Sequence, residues 1–410
     1  MAVERGSPRG IQEAREPHGS HWRALVGQGS GKEGAHGSLP VTTGGGLAHV
    51  QNIGPGGRVM SSRSGKKAWE LHLLELYRSC ELCPRSCRVD RLAGNRGRCG
   101  QGASLRIAHI GRHMGEEPPI TGTRGSGTVF FTGCSLGCSF CQNYQISRLG
   151  MGSVLSVQET ARRISDLWRS AGVHNVNLVT PDHFFPHTVL LVQELRQSGL
   201  RIPVIYNLSG YQRVETLRLI EQCADIYLPD FKFGDPSLAS VLSKASDYPR
   251  LALEAVAEMV NQKGFLDGED EVPWGPDSQA QAGLATRGVL VRHLVLPGHV
   301  RNSIEVLNLL FLEFGKDLPL SLMSQYVPVG SQPMRDLERV VSPGEFRQVL
   351  EHALELGFQR IFYQPPRDLS ADPLERPFLP DFTRQNPFRG NDTSQEGLAS
   401  GRRHPRGDPR

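Results

Sequence analysis

Thr128-Val-Phe-Phe-Thr132 runs directly into Gly133-Cys-Ser-Leu-Gly-Cys-Ser-Phe-Cys-Gln-Asn143, so an apolar strand-like segment delivers three cysteines into a tight loop. Cys134, Cys138 and Cys141 have the spacing CxxxCxxC. Three thiolates can hold three corners of a cubane iron–sulfur cluster and leave the fourth iron open, whereas an electron-transfer cluster closes all four positions with cysteine. Structural zinc asks for four ligands in paired groups. Burial of free thiols would not call for Gly133 and Gly137, which permit tight turns and close backbone approach. The triplet therefore reads as an open cluster loop at the end of a strand.

Outward from this loop the chain alternates. Strands are expected at 127–132, 176–180, 203–207, 225–229, 289–296, 319–324 and 359–363, with helices at 157–171, 187–199, 213–222, 249–263, 302–315 and 344–357. Strands alternating with helices of this length predict parallel βαβ units. About six such units predict an α/β fold built as a partial (β/α)6 TIM-like barrel rather than a closed eightfold one. Residues 264–287 are acidic and rich in Gly and Pro, and read as a mobile loop. The expected organisation is a disordered leader over 1–67, a cysteine-rich segment over 68–124, the barrel over 125–365 and a disordered basic tail over 366–410.

Composition narrows the function. Lys and Arg number 46 against 42 Asp and Glu, and a formal charge of +4 leaves no electrostatic footprint for nucleic acid. No apolar run approaches the ~18 residues that cross a bilayer. The N-terminus lacks the apolar core of a secretory signal, and Glu4, Glu13, Glu16 and Glu33 speak against a mitochondrial presequence, which points to the cytoplasm. Eight cysteines grouped as four, three and one suit metal binding in a reducing compartment.

In parallel α/β barrels the chemistry gathers where strands end. The expected ends carry the cysteine triplet, Thr180-Pro-Asp182-His183, Asn207-Leu-Ser209, Asp230-Phe-Lys232, Arg292-His293 with His299, and Ser324-Gln-Tyr326. Taken singly, each polar residue is equally well a turn former or helix cap. Together they make one polar mouth.

Residues 77–363 resemble the pyruvate formate-lyase-activating-enzyme-like branch of the radical S-adenosylmethionine (SAM) superfamily, specifically its PflX-type members. The runs that carry the resemblance are Cys80-Glu-Leu-Cys-Pro-Arg-Ser-Cys87, Glu116-Glu-Pro-Pro-Ile120 with Gly125-Ser-Gly127, the cluster loop through Tyr144, Asn177-Leu-Val-Thr-Pro181 and Val291-Arg-His-Leu-Val-Leu-Pro-Gly298. The resemblance implies a [4Fe-4S] cluster on Cys134, Cys138 and Cys141 that reductively cleaves SAM and yields a 5′-deoxyadenosyl radical for hydrogen abstraction. The substrate would be a small molecule or a glycyl-radical-type protein partner, and the electron donor a flavodoxin- or ferredoxin-type protein. Lys232 in a DxK-like context would meet the SAM carboxylate, with Asp230 orienting it. Asn207 and Ser209 would meet the ribose, and Phe140 the adenine. The superfamily's Gly-Gly-Glu after the second strand is replaced by Thr180-Pro-Asp-His183, which leaves Asp182 or Thr180 as its stand-in.

Cys80, Cys83, Cys87 and Cys99 form a complete four-ligand set, suited either to structural zinc or to a closed auxiliary iron–sulfur cluster. Cys223 reads as a lone buried thiol. His183, His293 and His299 are the histidines near strand ends, and so the candidates for handling protons. The reading from another class is a non-catalytic metal-binding scaffold or protein-interaction barrel.

Overall fold

Period-two and period-3.6 patterns alternate along the middle of the chain, and the computed structural model places strands and helices where they do. It describes residues 11–14, 22–27, 63–268, 283–366 and 379–388. The strands are β1 (Ile11–Ala14), β2 (Arg23–Gly27), β3 (Arg106–His113), β4 (Ser126–Phe131), β5 (Ser153–Val154), β6 (Val176–Val179), β7 (Val204–Leu208) and β8 (Ile226–Pro229). They continue with β9 (Gly288–Val289), β10 (Val291–Leu294), β11 (Leu320–Met323) and β12 (Arg360–Tyr363).

One sheet runs β5-β3-β4-β6-β7-β8-β9 and is parallel from β4 to β9. The other runs β1-β2-β12-β11-β10 and is parallel from β10 to β12. A single parallel bridge, Asp230 to Arg292, links the two. The result is a mixed α/β fold without a closed ladder of strands among the described residues. The stretch expected as one strand over 289–296 is two. Gly288–Val289 pairs with β8, and after Leu290 the chain moves to the second sheet as β10.

Side chains of a strand alternate between faces. On β7, Tyr206 joins the large helix-facing cluster, while Ile205 joins a smaller one with Ile120, Ile226, Leu228, Leu290, Met323 and Phe362, drawn from both sheets. The helices that cover the outer face stop and start where chemistry directs. Ser156 accepts a hydrogen bond from the Glu159 amide and Gly172 closes that helix in a left-handed conformation. Ser342 and Glu345 form a capping box at Pro343–Leu356.

Two expectations need correction, and a third is met only at its ends by the described residues. Within the leader, residues 11–14 and 23–27 are strands. Trp22 is buried and donates its indole N–H to the Gly115 carbonyl at 3.0 Å, and β2 completes hydrogen bonds on the open edge of β12. Within the tail, residues 379–388 are packed, with Phe382 and Phe388 against Phe130, Ile146 and Val179. The loop over 264–287 is pinned at both ends. Phe265 bridges Val289, and the Asp267 carboxylate accepts from the Thr286 and Arg287 amides at 2.7 and 2.9 Å. The leader's last residues, 63–67, open the helix Arg63–Glu75, while residues 1–10, 15–21, 28–62, 269–282, 367–378 and 389–410 lie outside the described residues. No helix among the described residues is long and apolar enough to cross a membrane.

Candidate functional site

β4 ends at Phe131, and the next residues turn away because Gly133 takes a φ of 92°. A Cβ there would lie 2.6 Å from the Cys99 carbonyl oxygen, so only glycine lets the two cysteine segments meet. The loop that follows carries the triplet. Cys138 is buried, and Cys134 and Cys141 are half-buried. The Ser243 hydroxyl donates to Cys138 Sγ at 3.1 Å and the Ser147 hydroxyl to Cys141 Sγ at 3.2 Å. Burial pushes the free Cys138 thiol up to about 11, with Lys232 opposing. Burial, then the neighbouring Cys138, raises Cys134. Hydroxyl donors and a nearby ammonium suit sulfur in its thiolate form, which is the form a metal requires.

The neighbouring strand ends bring most of the expected ligand contacts together. Lys232 Nζ is ion-paired with Asp230 Oδ2. Burial would lower Lys232, but Asp230 and then Cys138 hold it above its ordinary value, so it stays charged. The Tyr248 hydroxyl knots this end to that of β7. It accepts from the Lys232 amide at 2.9 Å and lies 2.9 Å from the Ser209 carbonyl and 2.8 Å from that of Asp230. Gly210, at φ 80°, makes the knot possible, since any Cβ there would collide with the Asp230 carbonyl.

Ser209 donates to Asp182 Oδ1 at 2.9 Å, and Gln212 donates to the same oxygen. The expected stand-in for the missing glutamate thus sits beside the expected ribose contact. Asp182 is buried, its Oδ2 has no partner, and burial raises it. Thr180 accordingly holds a left-handed φ of 54°, rare for a β-branched residue, and donates its amide to the Asn207 carbonyl at 2.9 Å. Phe140, expected beside adenine, is 5 % exposed and its ring meets Phe233 and Tyr326.

The cysteine quartet lies against the triplet loop. The mutual electrostatic influence of Cys80, Cys83, Cys87 and Cys99 marks them as neighbours, and burial pushes Cys83 up to about 12. Arg91, 1 % exposed, holds the segment in place. Its guanidinium sits over the Tyr77 ring at 4.3 Å, donates to the Gly102 and His183 carbonyls, and reaches Cys80 Sγ at 3.6 Å. Arg85 donates to the carbonyls of Ser135 and Leu136, inside the triplet loop, and to those of Ser243 and Lys244. Among the described residues, no three Cys, His, Asp or Glu side chains converge as a shell for a single metal ion.

The histidines are mostly structural. His293 is fully bonded, to the Phe231 carbonyl at 2.7 Å and Ser303 at 2.8 Å, and burial lowers it to about 4. His183 bonds the Thr132 carbonyl at 2.7 Å and burial lowers it to about 3. His299 is half-buried with no partner on Nε2. Cys223 is a buried thiol pushed up to about 11, as expected for a core residue.

Sequence reasoning missed a buried polar network. Arg292 lies 3.2 Å from Glu116 and 3.1 Å from Glu117; Asn177 donates to Glu116 at 3.0 Å and Ser321 to Glu117 at 2.6 Å. Burial raises both glutamates, and Arg292 opposes this. Their sequence signal was the Glu116-Glu-Pro-Pro and Val291-Arg-His runs, quoted above without a role. The packed tail was missed as well. Gln145, four residues past Cys141, accepts from the Phe382 amide at 2.7 Å, and the Phe388 ring meets that of His113 at a tilt, with centroids 4.5 Å apart.

Residues 128–265 match the family model of the Radical SAM superfamily. The chain is also similar to an uncharacterised protein of Methanocaldococcus jannaschii, MJ0674, with 27 % identity over 298 residues, covering 70 % of this chain and 78 % of that protein. The match over 128–265 begins within β4, takes in the triplet and Lys232, and supports a radical SAM domain with its [4Fe-4S] cluster and SAM.

Proposed function

We propose that the chain is a radical SAM enzyme of the PflX-type branch, built on a partial barrel whose strand ends hold a [4Fe-4S] cluster and SAM side by side. One observation carries the reading. The three cysteines of the β4 loop adjoin an Asp230–Lys232 pair and a Ser209–Asp182 pair on the ends of neighbouring strands. When bound, the cluster supplies one electron for cleavage of SAM to methionine and a 5′-deoxyadenosyl radical that abstracts hydrogen from substrate.

The chain's own residues bind and orient. Cys134, Cys138 and Cys141 would hold the cluster. Lys232, kept charged by Asp230, faces the carboxylate of SAM, a charge-assisted contact. Asn207 and Ser209 take the ribose hydroxyls, and Asp182 accepts from the amino group in place of the absent glutamate. Phe140 backs the cluster loop from the wall, beside the adenine. Phe382 and Phe388 of the tail pack against Phe130 and Val179 near the ends of β4 and β6, where they would limit the access of water to a reactive intermediate. We read the cysteine quartet as a second metal site, holding zinc or a closed cluster, and a flavodoxin- or ferredoxin-type protein as electron donor in the cytoplasm.

The test is anaerobic reconstitution with iron and sulfide analysis, followed by a 5′-deoxyadenosine assay under strong reductant. Four irons per chain lost on substituting the triplet, together with SAM cleavage, are expected. A fully loaded cluster with neither SAM binding nor cleavage would overturn the reading and leave a metal-binding scaffold. Iron and sulfide that persist in the triplet variant would mark the quartet as a cluster, and one zinc per chain would mark it as structural.

A further inference from the structure

The triplet loop is bonded more elaborately than ligation alone requires. Two of its three sulfurs accept hydroxyl hydrogen bonds, Cys138 from Ser243 and Cys141 from Ser147. Ser243 is 1 % exposed and far from the loop in sequence, at the end of the helix Pro236–Ser243. Its placement is held from two sides. The Ser139 amide donates to the Leu242 carbonyl at 2.8 Å, and Arg85 bonds the carbonyls of Ser135, Leu136, Ser243 and Lys244 at 3.1, 3.2, 2.7 and 2.5 Å. Lys244 itself ends that helix in a left-handed cap at φ 52°, its amide bonding the Ala239 and Ser240 carbonyls, so the chain turns sharply beside Ser243. A guanidinium with five donors in a rigid fork can hold four carbonyls at once in fixed directions, one more than the three donors of an ammonium.

Hydrogen bonds to the sulfurs are among the protein's levers on cluster potential. A donor stabilises the extra negative charge of the reduced state, so it raises the potential. We propose that Ser243 and Ser147 set the reduction potential of the centre held by the triplet, and that Arg85, from within the quartet segment, is the positioning residue that keeps Ser243 on Cys138. This assignment rests on the cluster reading above. It gives the quartet segment a role in the triplet's electron acceptance that needs no metal relay.

The experiment is an anaerobic redox titration of the reconstituted full chain, following the EPR signal that disappears when Cys134, Cys138 and Cys141 are replaced by Ala. Ser243→Ala and Ser147→Ala should each move the midpoint to more negative potential, and Ser147→Thr, which keeps the hydroxyl, should restore the parent value. Arg85→Ala should shift the midpoint in the same direction as Ser243→Ala, and the double variant should go no further than Ser243→Ala alone, since contacting residues couple. Loaded clusters with unchanged midpoints, or an Arg85 shift that adds in full to that of Ser243→Ala, would overturn the proposal. If Ser243→Ala fails to load, the Ser147 pair carries the test. Iron and sulfide analysis of the parent against the triplet variant separates this from failure of the cluster reading, in which replacing the triplet would remove no iron.

Discussion

The two cysteine groups lie within contact of each other and are built in opposite ways. The triplet sits on a loop at a strand end, receives hydroxyl donors and faces the Lys232–Asp230 pair. The quartet is wrapped around a buried cation, Arg91, whose donors go to backbone carbonyls and to Cys80. Hydroxyls aimed at sulfur at 3.1 and 3.2 Å prepare thiolates for chemistry, whereas Arg91 reaches Cys80 Sγ only at 3.6 Å and directs its closer bonds to carbonyls. Donors aimed at the main chain prepare a staple. The difference teaches that cysteine number alone does not divide the two roles; the surrounding hydrogen bonds do.

The sharpest way to break this comparison is to remove each group in turn. Replacing Cys134, Cys138 and Cys141 by Ala should abolish 5′-deoxyadenosine formation while the chain still unfolds cooperatively, as followed by product assay and thermal melts. The same treatment of the quartet should be read first in the melting temperature. A triplet variant that retains activity, or a quartet variant that melts like the parent, would erase the distinction.

Arg91 carries the next largest effect. Arg91→Met keeps the volume but strands the Gly102 and His183 carbonyls, and each buried acceptor left unpaired costs about 1–3 kcal/mol. Chemical denaturation should show a lowered midpoint with little change in slope.

Acid should attack the same staple. His183 and His187 attach it from the other side, His187 through Tyr77 at 2.7 Å, and burial lowers them to about 3 and about 4. Their folded values lie below the ordinary histidine value of 6.5. The unfolded chain therefore binds these protons first, and the stability they lend is present above pH 6.5 and lost as pH falls toward 4. Melting temperature measured across that window should drop, and His187→Gln should flatten the drop.

What the sequence revealed follows the range of its signals. Period two and period 3.6 are local, so the parallel strands from β4 to β12 were expected within one to three residues of where they lie, apart from the break at Leu290, and so were six of the helices between them, whereas Pro236–Ser243 was not expected as a helix. The CxxxCxxC spacing and the DxK context are equally local, and they named residues that the fold brings near one another at neighbouring strand ends. β3 was missed because Arg106-Ile-Ala-His-Ile-Gly-Arg-His113 is half-buried and antiparallel, with no helix to announce it. Glu116 and Arg292 meet across 176 residues, and no short pattern reports a partner at that distance. Ser243 ends a helix that was not expected, and no short pattern reports its contact to Cys138, 105 residues away. The aromatic residues of the tail stand among prolines and arginines, and composition there outweighed Phe382 and Phe388.

On the open side of the comparison, Lys232→Met should weaken SAM binding without unloading the cluster. A hydrogen bond to a charged group contributes about 1.5–3 kcal/mol, or roughly ten- to a hundredfold in Kd. Isothermal titration calorimetry on the loaded chain measures it. Equal binding by parent and variant would remove Lys232 from the site.

The smallest effect tests the strand end where the family's glycines are missing. Thr180 holds φ 54° while its amide bonds the Asn207 carbonyl, so the backbone keeps a shape that glycine adopts freely although a threonine fills it. A non-glycine residue in this region carries strain of about 1–3 kcal/mol. Glycine would relieve it, and would also loosen the unfolded chain, which offsets about 0.4–1 kcal/mol of the gain. Thr180→Gly should therefore leave stability unchanged or raise it by about 1–2 kcal/mol, against the general cost of placing glycine in an ordered segment. Denaturant titration reads the sign. A clear loss would mean that the Thr180 side chain contributes packing or a ligand contact that outweighs its backbone strain, and would move it from the frame of the site to its lining.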